Sequence, residues 1–181
     1  MENLVNRAKQ RDADAFTQLM QSQMQHMYKT ARAILGHDED AADAISDTIL
    51  ACWEKLPELK QNRYFRTWMT RILINKCSDL LEKRKRLMLT GDLPEGASYE
   101  VGYENLEWQE AVKSLDERYR LTVMLYYGEG FKTSEVAAIL DIPESTVRTR
   151  LARAREKLAE MYYPEQNAIS TEMDAVSKVI E

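Results

Sequence analysis

The chain has 181 residues, 44% of them hydrophobic and 30% charged, with 25 Lys and Arg against 30 Asp and Glu. This length suits one large domain or two small ones, and the composition excludes a disordered or collagen-like chain. No run approaches the roughly 20 apolar residues of a membrane span. The N-terminus also lacks the basic and apolar parts of a signal peptide, so we expect a cytoplasmic protein without membrane insertion.

The cysteines and histidines predict no metal site. Two cysteines 25 positions apart fit neither a disulfide framework nor a zinc site, and neither histidine has a ligand at suitable spacing. No phosphate-binding glycine motif or hydrolase motif occurs. We therefore expect no cofactor and no enzymatic activity. Cys52 and Cys77 fall near apolar faces and are expected to pack as small hydrophobic residues, with redox sensing as the alternative.

The net charge of −5 hides two basic segments in an acidic chain. Residues 60–86 hold nine basic and two acidic side chains, or +7, and residues 144–157 have a charge of +3. Residues 87–117 carry −7. Because the local field decides whether a surface attracts phosphate, nucleic acid remains a plausible partner.

Helical periodicity dominates the first half of the chain. Apolar residues three and four apart predict a helix over about 13–35, which Gly36 ends. A second helix opens at His37-Asp38 and stops before Pro57, and a third follows over about 63–86. No segment has the pattern of a strand, so the fold is predicted to be all-α.

The second half begins with a stretch rich in glycine and poor in apolar residues, typical of a linker. Helical spacing resumes near Leu106 and continues in segments over about 133–140 and 144–162. We predict two small helical domains, 1–87 and 105–162, joined by a flexible acidic linker over 88–104. The tail 163–181 has helical apolar spacing, and its role is left open between a docked helix and a frayed end.

Residues 133–155 have the pattern of a DNA-binding helix-turn-helix. Val136, Ala137 and Leu140 are predicted to face inward on the first helix, and Val147, Leu151 and Ala154 on the second. The side chains that then point away are placed to meet base edges in a major groove: Arg148, Thr149, Ala152 and Arg153. The start of the second helix could receive a phosphate through its amides and the hydroxyls of Ser145 and Thr146. An ordinary helical hairpin with solvated arginines is the alternative.

The stretch 146–155, TVRTRLARAR, resembles the promoter-reading helix of the extracytoplasmic-function (ECF) group of bacterial sigma factors. The preceding 115–120, LDERYR, is similar to the usual opening of that domain, called region 4. This resemblance implies that region 4 reads the upstream (minus-35) promoter element and docks on RNA polymerase.

The stretch 65–75, FRTWMTRILIN, is a more specific match to the same family. A helical wheel places Phe65, Met69, Ile72, Leu73 and Leu80 in the core, and the adjoining face has aromatic residues beside cations, which suits unstacked single-stranded bases. That face comprises Tyr64, Trp68, Arg71 and Asn75. The aromatic residues could instead be boundary residues of the core.

In the family, this helix and the loop before it recognise and melt the minus-10 element, as region 2 of the protein. The resemblance thus implies that a base is captured by the loop 59–63, which includes Leu59, Lys60, Asn62 and Arg63. The basic run at the end of the helix would then track phosphates without reading sequence: Lys83, Arg84, Lys85 and Arg86.

The helix over 38–56 has an acidic face on which Asp40, Asp43 and Asp47 lie three and four residues apart. A solvated surface with a favourable helix dipole would account for it. The resemblance implies instead an anchor on the polymerase clamp through Asp43, Ser46 and Asp47. Ser46 and Ala44 depart from the Gln and Leu that the family usually has there, so these two positions are weaker contacts.

The resemblance runs from about Leu4 to Glu160 and implies a sigma factor that binds core RNA polymerase and promoter DNA. It also implies a membrane-anchored anti-sigma factor as a partner. The acidic linker would either enter the polymerase channel or act as a solubilising tether. The alternative function is a stand-alone regulator that binds an operator through 133–155 without polymerase.

Overall fold

The structure is a computed structural model that describes residues 1–89, 112 and 114–162. Within this part the chain forms seven α-helices and no strand, which confirms the all-α prediction. The helices are α1 (Glu2–Lys9), α2 (Ala13–Leu35), α3 (Asp38–Lys55), α4 (Phe65–Leu89), α5 (Glu117–Val123), α6 (Thr133–Leu140) and α7 (Glu144–Tyr162). None of the described helices is long and apolar enough to cross a membrane.

Local signals set the helix ends. The Asp12 carboxylate accepts from the Ala15 amide at 3.0 Å and caps the start of α2. Gly36 ends α2 in the left-handed region at φ 78°, where a residue without Cβ is unstrained. The predicted bounds of α2, α6 and α7 are confirmed, but α4 continues to Leu89 and so reaches past the predicted start of the linker.

Helices α1 to α4 form the first bundle, residues 1–89. Phe65, Met69 and Leu73 are fully buried in its core as predicted, while Ile72 and Leu80 pack at its margin. Helix α1 was not predicted, although its buried Val5 and Ala8 are three residues apart. Two short 3₁₀ turns, Leu56–Glu58 and Asn62–Tyr64, lead from α3 to α4.

Helices α5 to α7 form the second bundle, residues 114–162. A turn of π-helix, Met124–Gly128, extends α5, and α6 and α7 meet at the Asp141 turn, which adopts φ 55°. Val136, Val147, Leu151 and Ala154 are buried as predicted. The other two inward positions of α6, Ala137 and Leu140, pack at the margin of this core.

The two bundles pack against each other, which the prediction of two tethered domains did not anticipate. Ile74 of α4 is buried in the core of the second bundle. Ala33 and Ile34 of α2 lie against Leu121 and Met124. A cleft of about 470 Å³ remains beside this contact between α2, α4 and α5. The predicted linker beyond Leu89 and the tail from 163 lie outside the described residues.

Candidate nucleic-acid interface

Helix α7 presents its predicted reading residues on the outside of the second bundle. Ser145, Arg148, Thr149 and Arg153 are exposed, and Thr146 and Ala152 are half-buried. This placement follows from the burial of Val147, Leu151 and Ala154, because residues three and four apart share one helix face. The α7 surface is therefore open to a duplex.

Arg148 is paired with a carboxylate of its own helix. Its guanidinium donates to Glu144 at 2.8 Å, and Glu144 also accepts from the Thr133 hydroxyl at 2.6 Å. These two hydrogen bonds, that from Thr133 first, lower the pKa of Glu144. An exposed pair at four-residue spacing contributes little to stability because solvent screens it, so DNA can draw Arg148 away at little cost.

Arg153 lies where α7 meets α5. A hydrogen bond from Arg153 lowers the pKa of Tyr119, and the charges of Arg118 and Lys157 act in the same direction. Both cations lie over the Tyr119 ring, 4.9 and 5.1 Å from its centroid. The predicted reading residue is thus part of a wider cationic surface.

The start of α7 offers a phosphate fewer amides than predicted. The amides of Thr146 and Val147 both donate to the Pro143 carbonyl oxygen, at 2.9 and 3.2 Å. The Thr146 amide is therefore engaged within the protein, and the predicted phosphate contact at the start of α7 stays a prediction. The hydroxyl of the exposed Ser145 remains on the surface.

The face of α4 predicted to meet melted DNA, here called the α4 edge, consists of Tyr64, Trp68, Arg71 and Asn75. Tyr64 is 43% exposed, and the Arg63 guanidinium lies 4.6 Å from its ring centroid. Trp68 is half-buried, tilted against Phe65 at 6.1 Å between ring centroids. The indole lies at the border of the core, so both of its interpretations, core residue and base-stacking residue, retain a geometric basis.

The loop before α4 forms one wall of an open polar depression of about 530 Å³. Its lining comprises Glu2, Asn6, Lys9, Lys60, Gln61, Asn62 and Arg63. Leu59 is a correction to the predicted set, because its side chain is only 7% exposed and packs in the first core. Leu59 thus has no side-chain surface to offer a base.

Helix α1 holds this loop in place, a contribution that the sequence did not reveal. Lys9 donates to the Leu59 carbonyl oxygen, and Asn62 donates to the Asn6 side chain. These two contacts join residues that lie 50 and 56 positions apart in the sequence. No local sequence pattern indicates contacts of this kind. The helix therefore forms the second wall of the depression.

The basic run at the end of α4 is only partly exposed. Lys83, Lys85 and Arg86 face solvent, whereas Arg84 pairs with Asp40 of α3 at 3.1 Å. Arg86 also contacts Glu82 at 3.3 Å. The surface formed by residues 83–86 has a net positive charge, although Arg84 is engaged by Asp40 of α3.

The predicted clamp contacts lie on the outer face of α3. Asp43, Ser46 and Asp47 are all exposed. The Ser46 hydroxyl donates to the Ala42 carbonyl oxygen at 2.8 Å, and Asp47 is 3.9 Å from Lys76. An acidic surface of this kind is available to a basic partner.

The second bundle covers part of the α4 edge and its neighbours. Arg71 pairs with Asp141 at 3.1 Å, and Thr67 donates to Glu135 at 3.4 Å. Arg66 donates to the Glu129 carbonyl oxygen at 2.9 Å and to its carboxylate at 3.3 Å. No sequence pattern indicates these contacts, since each joins residues more than 60 positions apart.

Burial raises the pKa of the Cys52 and Cys77 thiols to about 12. Both side chains lie in the first core, where they pack as the small hydrophobic residues predicted. Among the described residues no group of three or more potential metal ligands occurs.

Comparison with known proteins resolves the family. Residues 19–87 match the family model "Sigma-70 region 2" and residues 105–158 match "Sigma-70, region 4". The chain is 31% identical to the RNA polymerase sigma factor NccH of Alcaligenes xylosoxydans xylosoxydans over 179 residues, covering 91% of this chain and 96% of NccH. The chain belongs to the ECF group of sigma-70-type RNA polymerase sigma factors. Members of this group direct promoter-specific transcription initiation.

Other relatives agree with this assignment. The sigma factor is 27% identical to the ECF RNA polymerase sigma factor SigW of Bacillus subtilis, covering 85% of this chain and 92% of SigW. A solved structure of CnrH in complex with the cytosolic domain of CnrY matches it with a TM-score of 0.68 and 26% identity, covering 91% and 97% of the two chains.

The region 2 match falls in the first bundle and the region 4 match falls mainly in the second bundle. The region 2 match begins within α2 and contains the whole α4 edge, so α1 lies before it. The region 4 match contains α5, α6 and most of α7. Because both regions match, and not the helix-turn-helix alone, the family is that of sigma factors rather than of stand-alone operator-binding regulators.

Proposed function

We propose that the two bundles of this sigma factor divide promoter recognition between intact and opened DNA. The second bundle, with the domain bounds 105–162, reads the upstream minus-35 duplex through α7. Arg148, Thr149 and Arg153 contact base edges, and Ser145 contacts a backbone phosphate. A bidentate arginine–guanine contact discriminates against the wrong base by about 1–3 kcal/mol, so Arg148 alone is enough to bias promoter choice.

The first bundle, 1–87, stabilises the melted minus-10 strand along the α4 edge. The observation that carries this proposal is that Tyr64 and Trp68 present aromatic surface beside Arg63 and Arg71, next to an open polar depression. Stacking on an aromatic side chain contributes about 1–3 kcal/mol per base, and a nearby cation attracts the phosphate of the same nucleotide.

The depression between α1 and the loop 59–63 receives an extruded base. Its lining is almost entirely polar, with Lys60, Asn62 and Arg63 on one side and Asn6 on the other. Such groups pair with the exposed edges of an unstacked base, as single-strand recognition requires. Lys83, Lys85 and Arg86 add salt-dependent contacts to phosphates.

The exposed acidic face of α3 binds the polymerase clamp through Asp43 and Asp47, and Ser46 lies between them on this face. Two modules that each bind weakly gain affinity when a linker keeps the second close to its site. The linker 88–104 serves this purpose. Binding free energy alone offsets the cost of melting, and the protein performs no covalent chemistry.

An anti-sigma factor is a further proposed partner. The support is the CnrH structure, a similar fold whose title describes a complex with the cytosolic domain of CnrY. We place the sigma factor in the cytoplasm, because core RNA polymerase and promoter DNA, its proposed partners, are found there.

In vitro transcription with purified core RNA polymerase on genomic fragments tests this function. We expect transcripts that start at a small set of sites, each preceded by shared minus-35 and minus-10 elements. Binding to DNA without polymerase-dependent transcripts would contradict the proposal and favour an operator-binding regulator. Start sites that do not depend on the added sigma factor would contradict it as well.

A further inference from the structure

The cleft between α2, α4 and α5, here called the interbundle cleft, has a volume of about 470 Å³ and a mainly apolar lining. Its apolar side chains come from both bundles: Ala33, Ile34, Leu81, Leu121 and Met124. All of them are buried or half-buried. Ligand pockets commonly have volumes of about 300–1,000 Å³, so this cleft is large enough to receive the apolar side chains of a binding segment.

Charged side chains complete the lining of the interbundle cleft: Glu82, Arg84, Lys85, Glu117 and Arg120. They are more exposed than the apolar residues and therefore lie at its mouth. Arg84 already pairs with Asp40, and Glu82 pairs with Arg86. Among the described residues this leaves two cations at the mouth, Lys85 and Arg120, against Glu117. The cleft therefore favours an occupant with an apolar face and acidic groups beside it.

Arg120 has hydrogen-bonding capacity to spare at this mouth. One of its guanidinium nitrogens donates to the Leu115 carbonyl oxygen at 3.1 Å. Its Nε has no hydrogen-bond partner within the described part of the chain. Since a guanidinium carries five N–H donors, Arg120 can still bind a carboxylate.

The sequence of the tail 163–181 has the pattern that such a cleft requires. Four of its apolar residues, here called the apolar stripe, lie four, three and four positions apart: Ile169, Met173, Val176 and Ile180. On a helix, where successive residues are about 100° apart, these four share an arc of about 60°. Glu165 and Glu172 fall beside this arc. The tail holds four acidic residues and one lysine, so its charge is opposite to that of the mouth.

The end of α7 brings the tail close to the interbundle cleft. Lys157 of α7 pairs with Asp116 at 3.1 Å, and Asp116 directly precedes the cleft residue Glu117. From Lys157, α7 continues to Tyr162, about 7.5 Å along its axis. The residues 163–168 can then span up to about 20 Å. The apolar stripe can therefore reach the cleft without any movement of the bundles.

We propose that residues 165–181 form an amphipathic helix that docks in the interbundle cleft of the same chain. The apolar stripe packs on the apolar lining, and Glu172 lies beside Lys85 and Arg120 at the mouth. An amphipathic helix in an apolar groove is a general mode of recognition. Because a short tether gives the tail an effective concentration of about millimolar, even a weak contact is mostly occupied. The inference does not depend on promoter recognition.

A cysteine in the lining of the cleft reports whether the tail covers it. Leu81 is half-buried on the first-bundle side, so Leu81→Cys places a thiol under the docked stripe. The native cysteines react slowly, because burial raises their pKa to about 12. The full chain carrying Leu81→Cys is treated with a maleimide, and the rate of labelling is measured without DNA or polymerase.

In this background Met173→Asp is the test variant. It places a charge in the middle of the apolar stripe, and we expect labelling of the Leu81→Cys thiol to become at least about tenfold faster. Thr171→Asp is the matched control, because it adds the same charge on the opposite face of the proposed helix. We expect its labelling rate to stay within about twofold of the parent chain. A chain that ends at Tyr162 should label as fast as Met173→Asp.

A second reporter, Leu121→Cys, guards against local damage by the first. Leu121 is half-buried on the second-bundle side of the cleft. Met173→Asp should speed the labelling of this thiol as well, since the docked tail touches both bundles. A rise at only one of the two reporters would contradict docking between them.

Labelling that Met173→Asp leaves unchanged at both reporters would overturn the proposal. Equal rises with Met173→Asp and Thr171→Asp would show that the apolar stripe is not the docking face. Protection that persists in the chain ending at Tyr162 would assign the cleft to another segment. Protection that grows with protein concentration would assign it to a second copy of the chain, and either result would overturn the proposal.

Discussion

The two bundles differ in how they hold the arginines at or beside their proposed DNA-binding surfaces. In the second bundle Arg148 pairs with Glu144, four residues earlier on the same helix. In the first bundle Arg66 and Arg71 pair with Glu129 and Asp141, which belong to the other bundle. The Arg148–Glu144 and Arg71–Asp141 pairs are solvent-exposed and can yield to DNA by a change of rotamer, whereas the Glu129 carboxylate that pairs with Arg66 is buried between the bundles. The pairing of Arg66 therefore depends on the packing of the two bundles, whereas that of Arg148 does not.

The largest expected effect is that of removing the indole. Trp68→Ala should slow open-complex formation by about 5- to 150-fold, since one stacked base contributes about 1–3 kcal/mol. Binding to core polymerase should not change, because the proposed clamp contacts lie on α3. Permanganate reactivity of promoter thymines, followed with time, measures the rate. An open-complex rate equal to that of wild type would contradict the role assigned to this edge.

Tyr64→Ala is a second test of the first bundle, and it has a closely matched control. Tyr28 lies on the same bundle away from the α4 edge and is 44% exposed, against 43% for Tyr64. We expect Tyr64→Ala to reduce promoter opening by about tenfold and Tyr28→Ala to leave it unchanged. Equal effects of the two substitutions would show that loss of any surface aromatic side chain matters in the same way.

Arg148→Ala tests the other bundle. It should relax discrimination at one minus-35 base pair by about 1–3 kcal/mol, while Arg155→Ala on the same helix should leave the base preference intact. Selection of promoters from a randomised minus-35 library, followed by sequencing, gives the preference at each position. A profile that Arg148→Ala leaves unaltered would place the reading contact elsewhere on α7.

A smaller effect is expected at the loop that α1 supports. Asn6→Ala removes the partner of Asn62, and a net hydrogen bond contributes about 0.5–1.5 kcal/mol. The amides of residues 60–63 should then exchange about 2- to 10-fold faster with deuterated solvent. The exposed neighbour Asn3→Ala serves as the control, and exchange that is unchanged in Asn6→Ala would show that the loop holds its shape alone.

The smallest effect is expected at the cysteines. A thiol pKa of about 12 leaves very little thiolate at pH 8, and the thiolate fraction grows only as the pH approaches that value. Cys52→Ala and Cys77→Ala should therefore leave transcription and its response to peroxide unchanged. Rapid reaction of the folded wild-type chain with a thiol reagent at pH 8 would support redox sensing instead.

The elements that the sequence predicted well are those with local causes. The bounds of α2, α6 and α7 follow from apolar periodicity and from residues such as Asp12 and Gly36 at the helix ends. The exposure of Arg148 and Arg153 follows from the same periodicity. Resemblance to the sigma factor family supplied the roles that no spacing could assign.

The features that the sequence did not predict depend on contacts across the chain. Leu59 is adjacent in sequence to an exposed loop, yet its side chain packs in the core. Helix α1 is only eight residues long, and its contact with Asn62 spans 56 positions in the sequence. His26 contacts Glu129 across 103 positions of the sequence, and no periodicity relates such residues.

Paired footprints on one promoter test the division of labour most directly. Holoenzymes carrying Trp68→Ala and Arg148→Ala are compared for protection of the minus-35 duplex and for permanganate reactivity at minus-10. We predict that Trp68→Ala keeps the upstream protection and loses the reactive thymines, while Arg148→Ala weakens the upstream protection first. Loss of both signals together in each variant would contradict separate roles for α4 and α7.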